Sequence, residues 1–283
     1  MSKKLNISKL SLKESVDFWI IVFNSLVYYV LALFTVILSS NLFALLLGSY
    51  NDFSGKLFYY GFLINPNDGH WSHDDIALIF MFAAMFTLFF AIIFERLYKW
   101  RRPHGGNIKL YFLWTYIIAI TWFLGNIIVG AFSNFSFGAV LNVLHIPMPI
   151  RIMIAIAFGI LLFFIGRISR QHALISGNMY FRTLHSDKNF WLIKAQFLFP
   201  AFLGVIAYFV FRTPHQADYQ FRDLLVHLTV FIFILGLFWG VQQPASITFK
   251  KRQDWVDFDY WALGILIILA LFIRIYLNTG VSI

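Results

Sequence analysis

The stretch IALIFMFAAMFTLFFAIIF, residues 76–94, has no charged side chain. Crossing the hydrocarbon core of a bilayer takes about 20 apolar residues in a helix. The polar stretch NPNDGHWSHDD, residues 65–75, precedes this run, and Glu95 and Arg96 follow it directly. The pattern therefore predicts a membrane-spanning helix with two polar ends.

Other runs of the chain are apolar over a similar length. Together they predict seven transmembrane helices, at about residues 19–47, 76–94, 110–132, 149–166, 191–211, 224–241 and 261–278. The composition agrees, because 60% of the 283 residues are hydrophobic and 12% are charged, whereas a soluble domain carries about 25% charged residues. We expect residues 1–283 to form a single transmembrane helical domain of an all-α, polytopic integral membrane protein, without a separate soluble domain or a cleavable signal peptide.

Three prolines indicate where the predicted helices begin or bend. Pro147 and Pro149 stand at the start of the fourth run, where proline suits the first helical turn. Pro200 lies inside the fifth run, where a proline removes a helical hydrogen bond and predicts a kink.

Small and amide side chains inside the runs predict contacts between helices. Gly236 and Gly240 lie four residues apart in the sixth run, and this spacing lets two helices approach closely. Ala155 and Gly159 have the same spacing in the fourth run. Two asparagines within the runs are expected to bond to neighbouring helices: Asn24 and Asn126.

Lysine and arginine residues alternate between the predicted loops. Of the 22 basic residues, all but five fall in the N-terminal segment and in the connections between runs two and three, four and five, and six and seven. The five on the other side are Lys56, Arg151, Arg212, Arg222 and Arg274. Because cytoplasmic loops are rich in basic residues, we predict a cytoplasmic N-terminus, a C-terminus outside, and a location in a bacterial inner membrane.

The composition also limits the chemistry. These loops explain the net charge of +9, and we expect no nucleic-acid binding, because no basic face alternates with exposed aromatic residues. The chain has no cysteine, which excludes disulfides, thiolate metal sites and cysteine nucleophiles. It also lacks the sequences His-Glu-x-x-His and Gly-x-Ser-x-Gly, so no catalytic residue is predicted.

Histidine and aspartate residues gather on the predicted outer side. One hypothesis is a divalent-metal site at the outer membrane boundary, since imidazole and carboxylate groups bind such ions. Its candidate ligands are His70, His73, His145, His215, Asp223 and His227. Beyond this metal no cofactor is predicted.

The histidines of the stretch 65–75 also have a structural interpretation. Pro66 and Gly69 favour a turn, and Ser72 followed by Asp75 is typical of a capping box at a helix N-terminus. For this stretch we favour the turn and cap over the metal site.

The stretch NVLHIPMPIR, residues 142–151, resembles the loop Asn-x-x-Pro-x-Pro-x-x-Asp-Gly of site-2-protease-like membrane proteins. Asn142 and Pro147 match the asparagine and the second proline of that motif. The runs LYFLWTYIIAITWFLGNIIVGAF, residues 110–132, and QFLFPAFLGVIAYFVFRTP, residues 196–214, resemble polytopic proteins of Bacteroidota that are grouped with these proteases.

This chain lacks the residues that catalytically active site-2 proteases need. Active members are intramembrane zinc proteases, with ligands from His-Glu-x-x-His and from the aspartate of the loop. Here Ile150 and Arg151 stand in the places of that aspartate and of the following glycine. The resemblance therefore implies a relative that has lost the protease activity.

Short loops and helix faces suited to packing favour a non-catalytic subunit or accessory factor of a larger membrane complex. The expected partners are membrane lipids and other membrane proteins, through the face of Gly236 and Gly240 and through the cytoplasmic loop 167–190, which would bind anionic headgroups or dock a subunit. One alternative is a transporter or lipid-handling protein. Another is a metal-dependent membrane enzyme at the outer boundary.

Overall fold

The computed structural model describes residues 12–65, 72–102, 107–133, 137–181, 183–184, 186–213, 217–239, 247–248 and 256–282. Its helices are α1 (Leu12–Tyr50), α2 (His73–Arg101), α3 (Ile108–Gly130), α4 (Phe137–Val143), α5 (Met148–Ser176), α6 (Ser186–Ile193), α7 (Phe199–Arg212), α8 (Ala217–Leu228), α9 (Val230–Phe238) and α10 (Tyr260–Tyr276). Its strands are β1 (Gly55–Phe58), β2 (Gly61–Ile64), β3 (Thr183–Leu184), β4 (Ile247–Thr248) and β5 (Val281–Ser282).

Within the described residues, six helical segments are long and apolar enough to cross a membrane. They are Val16–Tyr50, Leu78–Arg101, Ile108–Gly130, Met148–Met179, Lys188–Arg212 and Phe221–Phe238. The shorter apolar helix Tyr260–Tyr276 follows them. Each of these helices overlaps one predicted run, and the prediction of an all-α, multi-pass membrane protein is confirmed.

The fourth run continues as a helix well beyond its predicted end at residue 166. α5 extends to Ser176, so most of the predicted loop 167–190 is helical and that prediction is wrong. Ser169, Ala173 and Ser176 are buried on one face of this extension, whereas Arg167 is exposed. The helix can thus leave the hydrocarbon at a basic residue without ending, because its other face still packs on the protein.

α3 is the central helix of the bundle. In its most apolar window 78% of the residues are buried, compared with 11% in that of α5. α3 packs against α1, α2, α5 and α8, and Trp114 in its middle is fully buried. α5 therefore lies at the periphery, with most of its surface open.

Two glycines form the crossing between α5 and α9. A Cβ on Gly166 would lie 2.1 Å from the Phe233 carbonyl oxygen, and a Cβ on Gly236 would lie 2.1 Å from the Phe163 carbonyl oxygen. Only glycine permits this approach of two backbones. The predicted packing of Gly236 against another helix is confirmed, and Gly240 lies outside the described residues.

Two other interior residues behave differently from the expectation. No described atom lies within 4 Å of the Cβ position of Gly159, so the prediction that it packs closely against another helix is wrong within the described chain, although Ala155 is buried. Asn126 donates to the Trp122 carbonyl of its own helix at 2.7 Å, and its bond to a neighbouring helix stays a prediction.

The fifth span is irregular in the turn that precedes Pro200, where residues 194–198 form a π-helical turn. Proline has no N–H, so the Gln196 carbonyl lacks the donor that a regular helix supplies four residues later. The Ser25 hydroxyl of α1 donates to this carbonyl at 2.5 Å, and the Trp114 indole N–H of α3 donates to Ser25 Oγ at 2.8 Å. The helix is therefore irregular before Pro200, and two neighbouring helices contribute the bonds that hold this turn, whereas the kink itself stays a prediction.

Two small sheets mark the two ends of the bundle. β1 pairs with both β2 and β5, so the connection after α1 and the segment after α10 share one sheet. We call this the hairpin end. β3 pairs with β4, so the connection before α6 and the segment that leads to α10 share the other sheet, at what we call the ladder end.

Asp259 ties the start of α10 to the bundle. Its carboxylate caps the helix at the Ala262 amide and accepts hydrogen bonds from Tyr28 at 2.6 Å and Asn107 at 2.8 Å. Burial raises the pKa of Asp259, but these hydrogen bonds outweigh it and hold the pKa below its ordinary value. Asn24 of α1 accepts from the Asp259 amide at 2.9 Å, which confirms the predicted bond of Asn24 to a neighbouring segment.

Replacing Ser25 with alanine should lower the free energy of unfolding by about 1–3 kcal/mol, because the Gln196 carbonyl and the Trp114 indole both lose a buried partner. In a Pro200→Ala background the same substitution should cost less, since residue 200 then offers its own N–H to Gln196. Equilibrium unfolding in detergent measures both costs. Equal costs in the two backgrounds would show that Ser25 does not replace the missing helical donor.

Candidate functional site

The capping box predicted at the start of α2 is confirmed. The Asp75 amide donates to Ser72 Oγ at 3.1 Å, and the Ser72 amide donates to the Asp75 carboxylate at 3.0 Å. The side-chain and backbone hydrogen bonds from Ser72 lower the pKa of Asp75. His70 lies outside the described residues, and of His73 only the backbone, as the first residue of α2, is described.

Three of the six candidate metal ligands have described side chains. His145 is exposed in a left-handed turn (φ 53°), with Nδ1 2.7 Å from the Val143 carbonyl oxygen. Asp223 and His227 are both buried, and His215 lies outside the described residues. Among the described residues no three His, Asp or Glu side chains gather to hold a metal, and the metal site stays a prediction.

Asp223 is instead the centre of a buried ion network at the hairpin end. Arg212, the last residue of α7, donates to Asp223 Oδ2. Arg222 donates to Oδ1 through Nε at 3.0 Å and Nη2 at 2.7 Å. Asp223 is 5% exposed and Arg212 is 4% exposed. Both carboxylate oxygens therefore bond to arginine, which neutralises a charge that burial would otherwise penalise.

His227 lies one helical turn beyond Asp223 and packs between two aromatic rings. Its ring centroid is 4.9 Å from that of Trp122 and 4.4 Å from that of Tyr208. The residue is 5% exposed, and its Nε2 has no hydrogen-bond partner among the described residues. The aromatic packing is that of a core histidine at the junction of α3, α7 and α8.

The hairpin end closes over this network. Arg274 of α10 donates to the carbonyl oxygens of Phe211 at 2.9 Å and Thr213 at 3.0 Å, and its guanidinium lies 4.2 Å from the centre of the Tyr59 ring. A cation there also suits the negative end of the α7 dipole. The strand residue Gly61 lies beside Arg212, whose Nη2 would be 3.8 Å from a Cβ at that position.

A shallow pocket opens beside the ion network. Its lining residues are Tyr208, Phe209, Arg212 and Leu224. Within the described chain the Nε–H of Arg212 has no acceptor, although its Nη1 bonds to Asp223. The Arg212 guanidinium lies 5.2 Å from the centre of the Tyr208 ring, so this buried cation packs on an aromatic face as well as on Asp223.

The stretch 142–151, which resembles the site-2-protease loop, forms a helix–turn–helix in the structure. α4 ends at Val143, and α5 starts at Met148 with a proline in its first turn, as predicted. Arg151 folds back and donates to the carbonyl oxygens of Ile146 at 2.7 Å and Leu141 at 3.1 Å. The arginine that replaces the motif's glycine thus holds the turn.

Comparison with known proteins finds no matching family model, no matching curated protein and no matching solved structure. The resemblance to site-2-protease-like proteins stays a prediction.

The sequence alone did not reveal the pairing of Arg212 with Asp223. Both residues fall on the predicted outer side, the arginine as one of the five basic residues there and the aspartate as a metal candidate. A signal was present, since an arginine that ends one apolar run and an aspartate that begins the next must lie at the same end of two sequential helices. The choice between this partner and a metal depends on how α7 and α8 meet.

Substituting asparagine for Asp223 should lower the free energy of unfolding by about 3–5 kcal/mol, because Arg212 then keeps a buried charge without a counter-charge. Asp52→Asn is the matched control, since Asp52 is exposed in a turn at the same end with φ 62°, a conformation that asparagine tolerates. Thermal or denaturant unfolding in one detergent compares the two. Equal destabilisation by both would rule out the ion network as a structural tie.

Proposed function

We propose that this protein crosses a bacterial inner membrane seven times, with its N-terminus in the cytoplasm and its C-terminus outside. The strand pairing supports this topology, because β1 and β5 share a sheet and six further crossings then separate them along the chain. α10 also connects the two ends, from Asp259 beside Asn107 to the Leu277 carbonyl, which accepts from the Tyr59 amide at 3.2 Å.

The proposed role is that of a non-catalytic subunit or accessory factor of a larger membrane complex. The observation that carries this proposal is the open notch at Gly159. Gly159 and Gly166 are seven residues apart and lie on nearly the same face of α5. α9 fills the notch at Gly166, whereas no described atom approaches the Cβ position of Gly159, two turns nearer the hairpin end.

A glycine notch in a lipid-facing helix is suited to another transmembrane helix. Apolar side chains gain little by leaving lipid for one another, so helix association in membranes depends on close packing at small residues and on interhelical hydrogen bonds. Exposed apolar side chains of α5, among them Ile152, Ile156 and Ile160, surround the notch and would flank the partner helix.

The second proposed contact surface for a partner or for lipid is the basic C-terminal part of α5. Arg170 donates to the Trp239 carbonyl at 3.2 Å and so helps to hold the end of α9, while Arg167 is exposed. An exposed cation next to the hydrocarbon binds anionic headgroups or an acidic segment of a partner.

The buried polar residues support a structural role as well. Ser25, Gln196 and Asp223 each form a described hydrogen bond to another segment of this chain.

Gly159→Leu should release the partner from the protein during purification in a mild detergent, because the side chain fills the notch. Ile268→Phe in α10 is the control, since this side chain is 70% exposed and forms no notch, so the added bulk should disturb neither fold nor complex. Quantitative mass spectrometry of co-purifying proteins measures the loss, with unfolding temperature as a check of the fold. A wild-type protein that purifies alone, or a partner that Gly159→Leu retains, would overturn the proposal.

A further inference from the structure

The C-terminal part of α5 carries two arginines beside the end of α9. The backbone N of Arg167 would lie 2.8 Å from a Cβ on Gly236, and Arg170 Nη1 donates to the Trp239 carbonyl at 3.2 Å. Residues three apart on a helix are neighbours on its surface, so the two arginine side chains leave α5 on the same side. We call Arg167, Arg170 and Trp239 the basic corner.

Neither arginine of the basic corner forms an ion pair with a described carboxylate. Glu95 of α2 reaches α5 at His172, 3.7 Å from its Nε2, and bonds to Lys99 at 2.7 Å. His172 is two positions beyond Arg170 and thus about 200° around the helix. Like charges on neighbouring positions of a helix surface repel each other, so an anion between the two arginines would stabilise the corner.

Exposed apolar side chains lead along α5 to the basic corner. Ile160 and Phe164 precede Arg167 by seven and three positions, so they lie on the same side of the helix, and they are 54% and 47% exposed. Trp239 is 58% exposed, and its ring centroid is 5.7 Å from that of Phe163. Tryptophan is enriched at the boundary between hydrocarbon and water. The corner therefore lies at the level of the headgroups, with an apolar surface directly below it.

A third cation lies near the end of α9. Lys194 Nζ is 4.3 Å from the centre of the Phe190 ring, and this ring packs on Phe238 of α9 with centroids 5.1 Å apart. Within the described ranges Lys194 forms no ion pair either. The end of α9 is thus surrounded by cations from two other segments of the chain, and the local charge favours an anion.

We propose that the basic corner binds the phosphate of an anionic phospholipid from the leaflet at the ladder end. The phosphate oxygens accept from Arg167 and from the Arg170 donors that the Trp239 carbonyl does not use, and an acyl chain lies along Phe164 and Ile160. Arginine suits this ligand because its planar guanidinium can donate two hydrogen bonds to one phosphate. The apolar surface favours a lipid, since a free phosphate or a soluble acidic segment would leave these side chains uncovered.

The proposal rests on the proposed membrane insertion but not on the role as a complex subunit, so the full-length protein without a partner provides the test. The protein is stripped of lipid in a neutral detergent and is then offered phosphatidylglycerol, phosphatidylcholine or inorganic phosphate. Native mass spectrometry counts the bound lipid, and thermal unfolding measures stability. We expect phosphatidylglycerol to bind most tightly and to raise the unfolding temperature more than the other two probes.

Arginine variants locate the bound lipid. Arg167→Gln should weaken phosphatidylglycerol binding about fivefold, and the double variant with Arg170→Gln about 25-fold, because each cation beside the headgroup contributes a similar attraction. Arg167 is exposed, so its substitution should leave the unfolding temperature without lipid unchanged. The matched control is Arg96→Gln, which removes an exposed arginine of α2 at the same end and should bind like the wild type. Gly159→Leu, which tests the partner helix, should also bind like the wild type.

Four results would overturn the proposal. Inorganic phosphate that stabilises the protein as strongly as the lipid would point to a soluble anion. Equal binding of phosphatidylcholine would show that the headgroup charge does not matter. Equal losses in Arg167→Gln and Arg96→Gln would show that lipid responds to the total charge of this end. Unchanged lipid binding by Arg167→Gln would place the lipid elsewhere, and if that variant also loses a protein that co-purifies with the wild type, the corner docks an acidic segment of a partner.

Discussion

The hydrogen bond from Ser25 to the Gln196 carbonyl shows the constraint on which the rest of the structure depends. Within hydrocarbon no water can satisfy a backbone group, so each donor or acceptor needs a partner in the protein. Pro200 removes the helical donor of Gln196, and Ser25 of α1 supplies the replacement while Trp114 of α3 donates to the Ser25 hydroxyl oxygen. The proline in the fifth span therefore requires a donor from a neighbouring helix, and α1 provides it.

The same constraint explains the hairpin end. Asp223 carries a charge into a buried place, and both of its oxygens bond to arginine, from the end of α7 and from the preceding residue of α8. The sheet of β1, β2 and β5 lies over this network, and Arg274 links α10 to the end of α7.

The features that local sequence controls were predictable, and those that depend on how helices meet were not. Apolar length placed the helices, and Ser72 with Asp75 defined the start of α2, because both signals act within a few residues. The end of α5 was missed, since it depends on the burial of Ser169 and Ala173 against the rest of the chain. The pairing of Arg212 with Asp223 was missed for the same reason, because it requires knowing how α7 meets α8.

The topology is tested most directly by cysteine labelling in intact cells, because the chain has no cysteine of its own. Single cysteines at Ser54, beside β1, and at Ser282, in β5, should both react with a membrane-impermeant thiol reagent added outside. A cysteine at Ser186, at the start of α6, should react only after the membrane is opened. If Ser54→Cys reacts from outside and Ser282→Cys does not, α10 does not cross the membrane. If only Ser186→Cys reacts from outside, the orientation is the reverse of the one proposed.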